Sequence, residues 1–174
     1  MLYHNPILLA ALIAAAASQG AAAVALEQQP VLPVGLAAEA ALRALETCQT
    51  QKNAVAVTIV NREGNMITML RHQDAGAHTV PNSFNKAFTA VSFGRAYGLL
   101  STRAIIDATK PGRGIGDFPL PAAPLPGLSY SIGGIAIQSR GVVIAAIGVS
   151  GSPSGDQDER CAKAGVQAIS NQLN

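Results

Sequence analysis

GGIAIQSRGVVIAAIGVSGSPSGDQDERCAKAG, from Gly133 to Gly165, is the most informative stretch of this sequence. Two apolar runs, Ile135–Gln138 and Val142–Val149, flank the polar link Ser139-Arg140-Gly141, a pattern typical of an antiparallel hairpin with a tight turn. The second run is almost entirely apolar, as expected of a central strand that is covered on both faces. The stretch therefore predicts a hairpin with one fully buried strand.

The same stretch continues into a loop and a helix. Gly148–Gly155 is rich in turn formers, and the helix that follows carries Asp156, Asp158 and Glu159 in its first turn. Acidic side chains there stabilise the unpaired amides and the positive end of the helix dipole. The loop could instead donate its amides to a small anion. Because the acidic side chains compete for those amides, capping is the favoured interpretation.

The N-terminal segment predicts export. Residues 1–25 contain no Asp, Glu, Lys or Arg, and the apolar run Pro6–Ala17 is too short to span the ~30 Å hydrocarbon core of a bilayer. Ala21–Ala25 offers A-x-A-like cleavage sites. We therefore expect a cleaved signal peptide over 1–25, a linker over 26–35, a single domain over 36–174 and a periplasmic or secreted location. Because the segment lacks Lys and Arg, an uncleaved apolar anchor or a mis-assigned start codon is the alternative.

Charge argues against two classes of partner. The chain has 12 basic and 10 acidic side chains, all of them after residue 25, for a formal net charge of +2. This charge is too weak and too scattered to indicate nucleic-acid binding. The sequence also lacks a basic amphipathic stretch of the kind that lies on a membrane surface. We expect a soluble mature domain with a small-molecule partner, and neither nucleic acid nor, after signal cleavage, a membrane.

The two cysteines, Cys48 and Cys161, stand 113 positions apart and have no spacing typical of a metal site. In an exported chain an even pair of cysteines suggests a disulfide. Each lies on a predicted helix, so a bridge is geometrically possible if those helices are neighbours. The alternative is that both are small buried apolar residues.

The first half of the mature chain predicts a helix, a hairpin and a long helix. A helical rhythm of apolar positions covers Leu36–Gln51, and the β-branched run Val55–Val60 pairs with Met66–Leu70 through a short turn. Asn82 or Ser83 is expected to cap the long helix, which runs through Tyr97 and is stopped by Gly98.

The second half predicts a short helix, a loop and a further strand. Ser101 caps the short helix, and residues 110–127, with five prolines and four glycines, form a long surface loop. A strand at residues 128–132 leads into the opening hairpin. The order of elements predicts an α+β domain with an antiparallel sheet of about five strands, and with helices gathered mainly on one side of the sheet and at its ends.

Several strings in this order resemble the GlcG/HbpS-type haem-binding family. They are VAVTIVNREGNMITMLR, NKAFTA with a following Phe-Gly, GGIAI, GVVIAAIGVSG and DQDE-x-CA-x-AG, and the match as a whole covers about residues 36–173. Ser152 stands where a second glycine is expected. The resemblance implies a profilin-like antiparallel sheet with helices packed on it, and often assembly into homo-oligomers. It also implies haem or another tetrapyrrole as the cofactor, for sensing or sequestration, since known members include secreted haem-binding proteins.

The candidate ligand-binding residues lie between the first hairpin and the long helix. His72 and His78 are the candidate axial and metal ligands, because haem iron is held by His, Met, Cys or Tyr. Phe84 and Phe88 could pack on the ring, and basic side chains could pair with the propionates. The basic candidates are Arg71, Lys86, Arg95 and Arg113. The alternative is that both histidines are solvated loop residues and that the basic side chains are solvated too.

An enzyme is not expected. Ser150 lacks the second flanking glycine of a GxSxG elbow, and no pair of carboxylates is spaced for acid–base work. The favoured hypothesis is an exported haem-binding protein. Two others stay open: a binder of small organic acids that uses the loop Gly148–Gly155, and an oligomeric interaction module without a ligand.

Overall fold

The computed structural model describes residues 28–109 and 126–173. The helices and strands of these residues are α1 (Val34–Thr50), β1 (Ala56–Asn61), β2 (Met66–Arg71), α2 (Thr79–Tyr97), α3 (Thr102–Ala108), β3 (Gly134–Ser139), β4 (Val142–Ser150) and α4 (Gly155–Ile169). A short 3-10 turn, Ser170–Gln172, ends the described chain. The predicted signal peptide and almost all of the predicted loop 110–127 lie outside the described residues.

The four strands form one antiparallel sheet in the order β2-β1-β4-β3. Both predicted hairpins are confirmed. The turn between β3 and β4 is Arg140-Gly141, and both of its residues have positive φ, 48° and 80°, as a tight hairpin turn requires. β4 lies between β1 and β3 and is buried from Val143 onward, which confirms the prediction of a central covered strand.

The predicted fifth strand, at residues 128–132, is wrong: the described residues contain four strands. The segment is irregular, and its Ser129 amide bonds to a side chain rather than to a neighbouring strand. The Ser129 amide donates to Thr89 Oγ1 at 2.8 Å, and the Gly133 amide just after the segment donates to Thr102 Oγ1 at 3.1 Å. The outer edge of β3 is also partly covered, since the Ala136 amide donates to the carbonyl of Leu100.

The helices lie on both faces of the sheet, which corrects the expectation that they gather mainly on one side. α1 and α4 pack together on one face around a core that includes Val57, Ile59 and Ile147. α2 covers the other face, where Ala87 and Ala90 pack on Val60, Ala136 and Ala146. The architecture is a three-layer sandwich in which α2 alone covers most of one face.

Glycines let α2 approach the sheet closely. Gly134 and Gly148 are cross-strand partners on β3 and β4. A Cβ added to Gly148 would lie 2.1 Å from the carbonyl oxygen of Ser83, and one added to Gly134 would lie 2.3 Å from that of Lys86. The backbone of α2 therefore rests directly on a platform formed by these two glycines.

The start of α2 is earlier than predicted. The helix begins at Thr79 rather than after Asn82 or Ser83, and His78 stands in the N-cap position. Pro81 falls within the first turn, where its missing N–H is not needed for an intrahelical bond. The helix ends at Gly98 in the left-handed conformation, with φ 70°, as predicted.

A disulfide joins the two helices of the other layer. Cys48 on α1 and Cys161 on α4 are bridged, with their Cα atoms 5.6 Å apart and both residues fully buried. Next to the bridge, Cys48 Sγ lies 3.5 Å from Ser152 Oγ in the loop between β4 and α4.

Candidate functional site

A cavity of about 470 Å³ opens between the start of α2, α3 and the loop between β4 and α4. This volume lies in the range of small-molecule sites. Its apolar wall comes from Ile106, Tyr130, Ile132 and Pro153, and its polar wall from α2 and the β4–α4 loop. We refer to this cavity as the α2 pocket.

His78 stands at this pocket with an exposed side chain. Its ring lies over the backbone of Gly76, because a Cβ added there would be 2.7 Å from His78 Cε1 and 2.8 Å from Nδ1. The same Cβ would lie 3.8 Å from Nε2, so Nε2 is the nitrogen directed away from Gly76. Within residues 28–109 and 126–173 no hydrogen bond engages the imidazole. Its nitrogen is therefore available to a ligand.

Lys86 also lines the pocket, but its charge is already paired. Its Nζ lies 2.8 Å from Asp158 Oδ2 and donates to the Val149 carbonyl at 2.9 Å, and both charged side chains are almost fully buried. The other oxygen of Asp158 accepts from the Ser152 amide at 3.0 Å. This ion pair fixes α2 to the β4–α4 loop and leaves Lys86 with little capacity to neutralise a propionate.

A chain of polar side chains lies beside the ion pair. Asn82 Nδ2 donates to Ser150 Oγ at 2.9 Å, and Asn82 Oδ1 accepts from Ser129 Oγ at 3.2 Å. The Ser129 and Ser131 hydroxyl oxygens are 2.8 Å apart. This network orients Asn82, Ser131 and Ser150, which all line the pocket.

The N-terminus of α4 faces the same pocket but offers few open amides. Ser154 caps the helix by accepting from the Gln157 amide, and Asp158 accepts from Ser152. The helix cap is therefore Ser154 rather than the acidic side chains that the sequence indicated, although Asp158 does occupy one amide of the loop. The alternative hypothesis of an organic-acid site in the loop Gly148–Gly155 gains nothing from this arrangement.

A cluster of charges ties α3 to α4. The Arg103 guanidinium donates to Asp156 and, from Nε at 2.8 Å, to Glu159. The hydrogen bond from Arg103 lowers the pKa of Asp156, and the bonds to Asp156 and Glu159 raise the pKa of Arg103. This cluster braces α3, which forms one wall of the pocket.

His72 and Arg71 lie outside the α2 pocket. His72 Nδ1 accepts from the Asp74 amide at 3.2 Å and lies 3.6 Å from Asp74 Oδ2, so this nitrogen is engaged by the turn that follows β2. The Arg71 guanidinium donates to the carbonyl of Ala75 and so closes the turn after β2. Both side chains serve the local structure of this turn.

Phe84 and Phe88 lie on the opposite flank of α2 from the pocket. Residues two apart on an α-helix are separated by about 200°, so the stripe of Asn82 and Lys86 faces away from that of the two phenylalanines. The two rings stack with centroids 6.1 Å apart. The structure thus brings His78 and Lys86 together but places both phenylalanines elsewhere. Arg113 lies outside the described residues.

Sequence reasoning missed three features of the pocket: the partner of Lys86, the Asn82 network and the position of Tyr130. One signal was present for the first. Lys86 falls among apolar positions of α2, and a lysine there needs a buried carboxylate such as Asp158. The second and third depend on the irregular segment 128–132, which was predicted as a strand.

The described residues contain neither a cluster of metal-binding side chains nor a helix that could span a membrane. No group of three or more His, Cys, Asp or Glu side chains within residues 28–109 and 126–173 is arranged to hold a metal ion. Over the same residues, none of the helices has the length and apolar character needed to cross a bilayer.

The family model described as Haem degrading protein HbpS-like matches residues 32–167. The chain belongs to this family. A comparison with curated proteins gives no match.

Solved structures agree with this assignment. A double mutant of HbpS from Streptomyces reticuli is 30% identical, with a TM-score of 0.69 over 83% of this chain and 90% of that chain. The protein ORFY from Klebsiella pneumoniae is 26% identical, with a TM-score of 0.69 over 83% and 94%. The PduOC domain, crystallised as a heme complex, is 26% identical, with a TM-score of 0.68 over 80% and 96%.

Proposed function

We propose that this protein binds haem, or a closely related metallated tetrapyrrole, in the α2 pocket. The observation that carries the proposal is the position of His78, whose imidazole stands at a cavity of about 470 Å³ without a hydrogen bond to any described residue. Membership of the HbpS-like family and the similarity to a domain crystallised with heme support the choice of ligand.

The residues of the pocket fit one side of such a ligand. His78 would ligate the iron through Nε2, and Ile106, Tyr130, Ile132 and Pro153 would contact the apolar ring. Bound haem iron supplies gas-ligand and one-electron chemistry. The chain itself supplies the imidazole and an apolar wall, and the buried Lys86–Asp158 pair holds these elements in place. Arg71 and His72, both outside the pocket, have no role in this proposal.

The test is a titration of the purified protein with haemin, followed by the Soret band. We expect a shifted Soret band that saturates at micromolar haemin. His78→Ala should weaken binding by about tenfold or more, because it removes the axial nitrogen, whereas His72→Ala, a matched loss of an imidazole, should change it less than about twofold.

A second variant tests the placement of the His78 ring. Gly76→Ala inserts a Cβ where the ring now lies, so it should displace the imidazole and weaken haemin binding while leaving His78 in the chain. Thermal melts of every variant check that the fold is kept. An unshifted spectrum with the unmodified protein would sink the proposal, and loss of binding in His72→Ala alone would refute the assignment of His78.

We further propose that the protein is exported after cleavage near residue 25 and forms homo-oligomers. The buried disulfide supports export, since disulfides persist in oxidising compartments. N-terminal sequencing of protein recovered from outside the cytoplasm tests the cleavage, and an intact Met1 there would contradict it. Light scattering after size exclusion tests assembly, and a monomer mass would contradict it.

A further inference from the structure

The opposite flank of α2 carries a second groove, separate from the α2 pocket. It has a volume of about 350 Å³ and runs between α2 and the turn that joins β1 to β2. Phe88, Val91 and Arg95 line it from α2, and Arg62 and Glu63 line it from the turn. Phe88, Val91 and Arg95 follow one another at intervals of three and four, so they form a continuous stripe on the helix surface.

The side chains of Arg62 and Arg95 both line this groove. Arg95 Nη1 donates to the Arg62 carbonyl at 2.8 Å, which anchors the Arg95 side chain on the turn. Within residues 28–109 and 126–173 no carboxylate lies within salt-bridge distance of Arg95. The Arg62 side chain is 17% exposed. Its Nη1 donates to Gln29 Oε1, and its Nε is buried without a hydrogen bond to any described residue.

Glu63 offsets only part of this charge. Its Oε1 lies 3.3 Å from Arg62 Nε, and its side chain is 55% exposed. With Arg62 beside Glu63, Arg95 carries the positive charge that no carboxylate within residues 28–109 and 126–173 balances. A monoanion would balance it, and the planar fork of an arginine matches a carboxylate in a bidentate arrangement.

The rest of the groove includes an aromatic face, together with the smaller side chains of Ser92 and Ala96. The Phe88 ring lies against the β1–β2 turn, where a Cβ added to Gly64 would be 2.5 Å from Phe88 Cε2. Gly64 has φ 85°, so this position needs glycine for the turn as well as for the ring. Phe88 also stacks on Phe84, which fixes its orientation. A flat, apolar body next to a carboxylate would pack against the half-buried Phe88 ring, because Val91 behind it belongs to the buried core.

We propose that this groove is a second ligand site, which binds small aromatic carboxylates. The carboxylate pairs with Arg95, next to the Arg62 side chain, and the ring packs on Phe88. The site is independent of the proposed haem pocket, because it uses the other flank of α2 and shares no lining residue with that pocket.

The experiment uses benzoate as the probe and isothermal titration calorimetry on the purified protein. Benzamide is its neutral counterpart, and inorganic phosphate is an anion without an apolar body. We expect saturable binding of benzoate, with benzamide and phosphate each weaker by about tenfold or more. Absence of benzoate binding, or equal binding of either comparison compound, would overturn the proposal.

Variants locate the binding on the protein. Arg95→Gln should weaken benzoate about tenfold, and Arg95→Lys should recover only part of the loss because the ammonium lacks the fork. Arg43→Gln removes an exposed arginine of α1 that pairs with Glu46 and serves as the matched control. Benzoate affinity unchanged in Arg95→Gln would refute the site. His78→Ala should leave benzoate binding intact, so the failure of the haem proposal and the failure of this one can be told apart.

Discussion

At the scale of single residues, the two facing glycines of β3 and β4 determine how α2 packs. Gly148 lies on a fully buried strand, and its missing Cβ leaves the space that the Ser83 carbonyl oxygen occupies. Any side chain at this position must push α2 away from the sheet. That movement would also disturb the contacts of Lys86 with Val149 and Asp158.

We predict that Gly148→Ala lowers the free energy of unfolding by about 1–3 kcal/mol, the usual range for overpacking a core. Gly35→Ala is the matched control, because a Cβ there meets nothing within 4 Å and the residue lies in a helix. It should be neutral or stabilising by up to about 1 kcal/mol. Urea unfolding of both variants measures the difference, and equal stabilities would show that α2 does not need the glycine platform.

Sequence alone could not distinguish this role of Gly148 from that of a turn former. Glycine serves tight turns and close backbone approach equally, and Gly148 stands at the start of a string of turn residues. By contrast, Gly98 as a helix stop and Ser101 as a cap were predictable, because each acts through its own neighbours in the chain.

At the scale of elements, the link between α3 and α4 depends on ionised carboxylates. Asp156 is exposed, and the hydrogen bond from Arg103 holds its pKa below the ordinary value of 3.8. A carboxylate with a lowered pKa in the folded state stabilises the fold above its unfolded pKa. This stabilisation is lost as the pH falls through the lower, folded value.

We therefore predict that Asp156→Asn lowers the melting temperature slightly at pH 7, and that the difference from the unmodified protein shrinks as the pH falls below about 3.8. Asp74→Asn is a comparison at another exposed carboxylate, one that lies outside this cluster. Melting curves between pH 7 and pH 3 test the trend. A difference that grows with acid would contradict the assigned role of Arg103.

Elements with a clear local period were predictable, and those set by tertiary contacts were not. The alternation and β-branching of β1 and the apolar run of β4 were enough to identify both hairpins. Residues 128–132 have a similar apolar content, but the hydroxyls of Thr89 and Thr102 take the amides that a strand would pair. Those hydroxyls come from other elements, so local patterns do not reveal them.

At the scale of the whole molecule, a disulfide joins α1 to α4, the first and the last α-helix of the described residues. The Cys48–Cys161 bridge closes a loop with a sequence separation of 113. In the chain-entropy description, a loop on the order of 100 residues gives about 4–5 kcal/mol of stabilisation through the unfolded state. The bridge is also fully buried, so reductant reaches it only when the layer opens.

We predict that the double change Cys48→Ala with Cys161→Ala lowers the free energy of unfolding by about 4 kcal/mol. Urea unfolding with and without dithiothreitol measures it. The unmodified protein should lose a similar amount in reductant, whereas the double variant should not respond. A reductant effect that persists in the double variant would exclude the disulfide as its cause.

The residues that the sequence analysis grouped into one ligand site lie on two different flanks of α2, and this too is a property of the whole molecule. Sequence proximity placed the residues from 71 to 88 in one candidate site, but the helix turns Phe88 away from His78 and Lys86. Only three-dimensional packing brings Tyr130 and Asp158 to His78 and Lys86, and Arg62 to Arg95. The family was recognisable from sequence because its strings keep their order along the chain.

The bridge between α1 and α4 also gives the chain the topology of a closed ring with two tails. Residues 48–161, which include all four described strands, lie within that ring. One protease cut anywhere inside it opens the ring but releases no fragment, since both pieces stay joined through sulfur. Only two cuts within the ring, or a cut in either tail, can remove a segment from the protein.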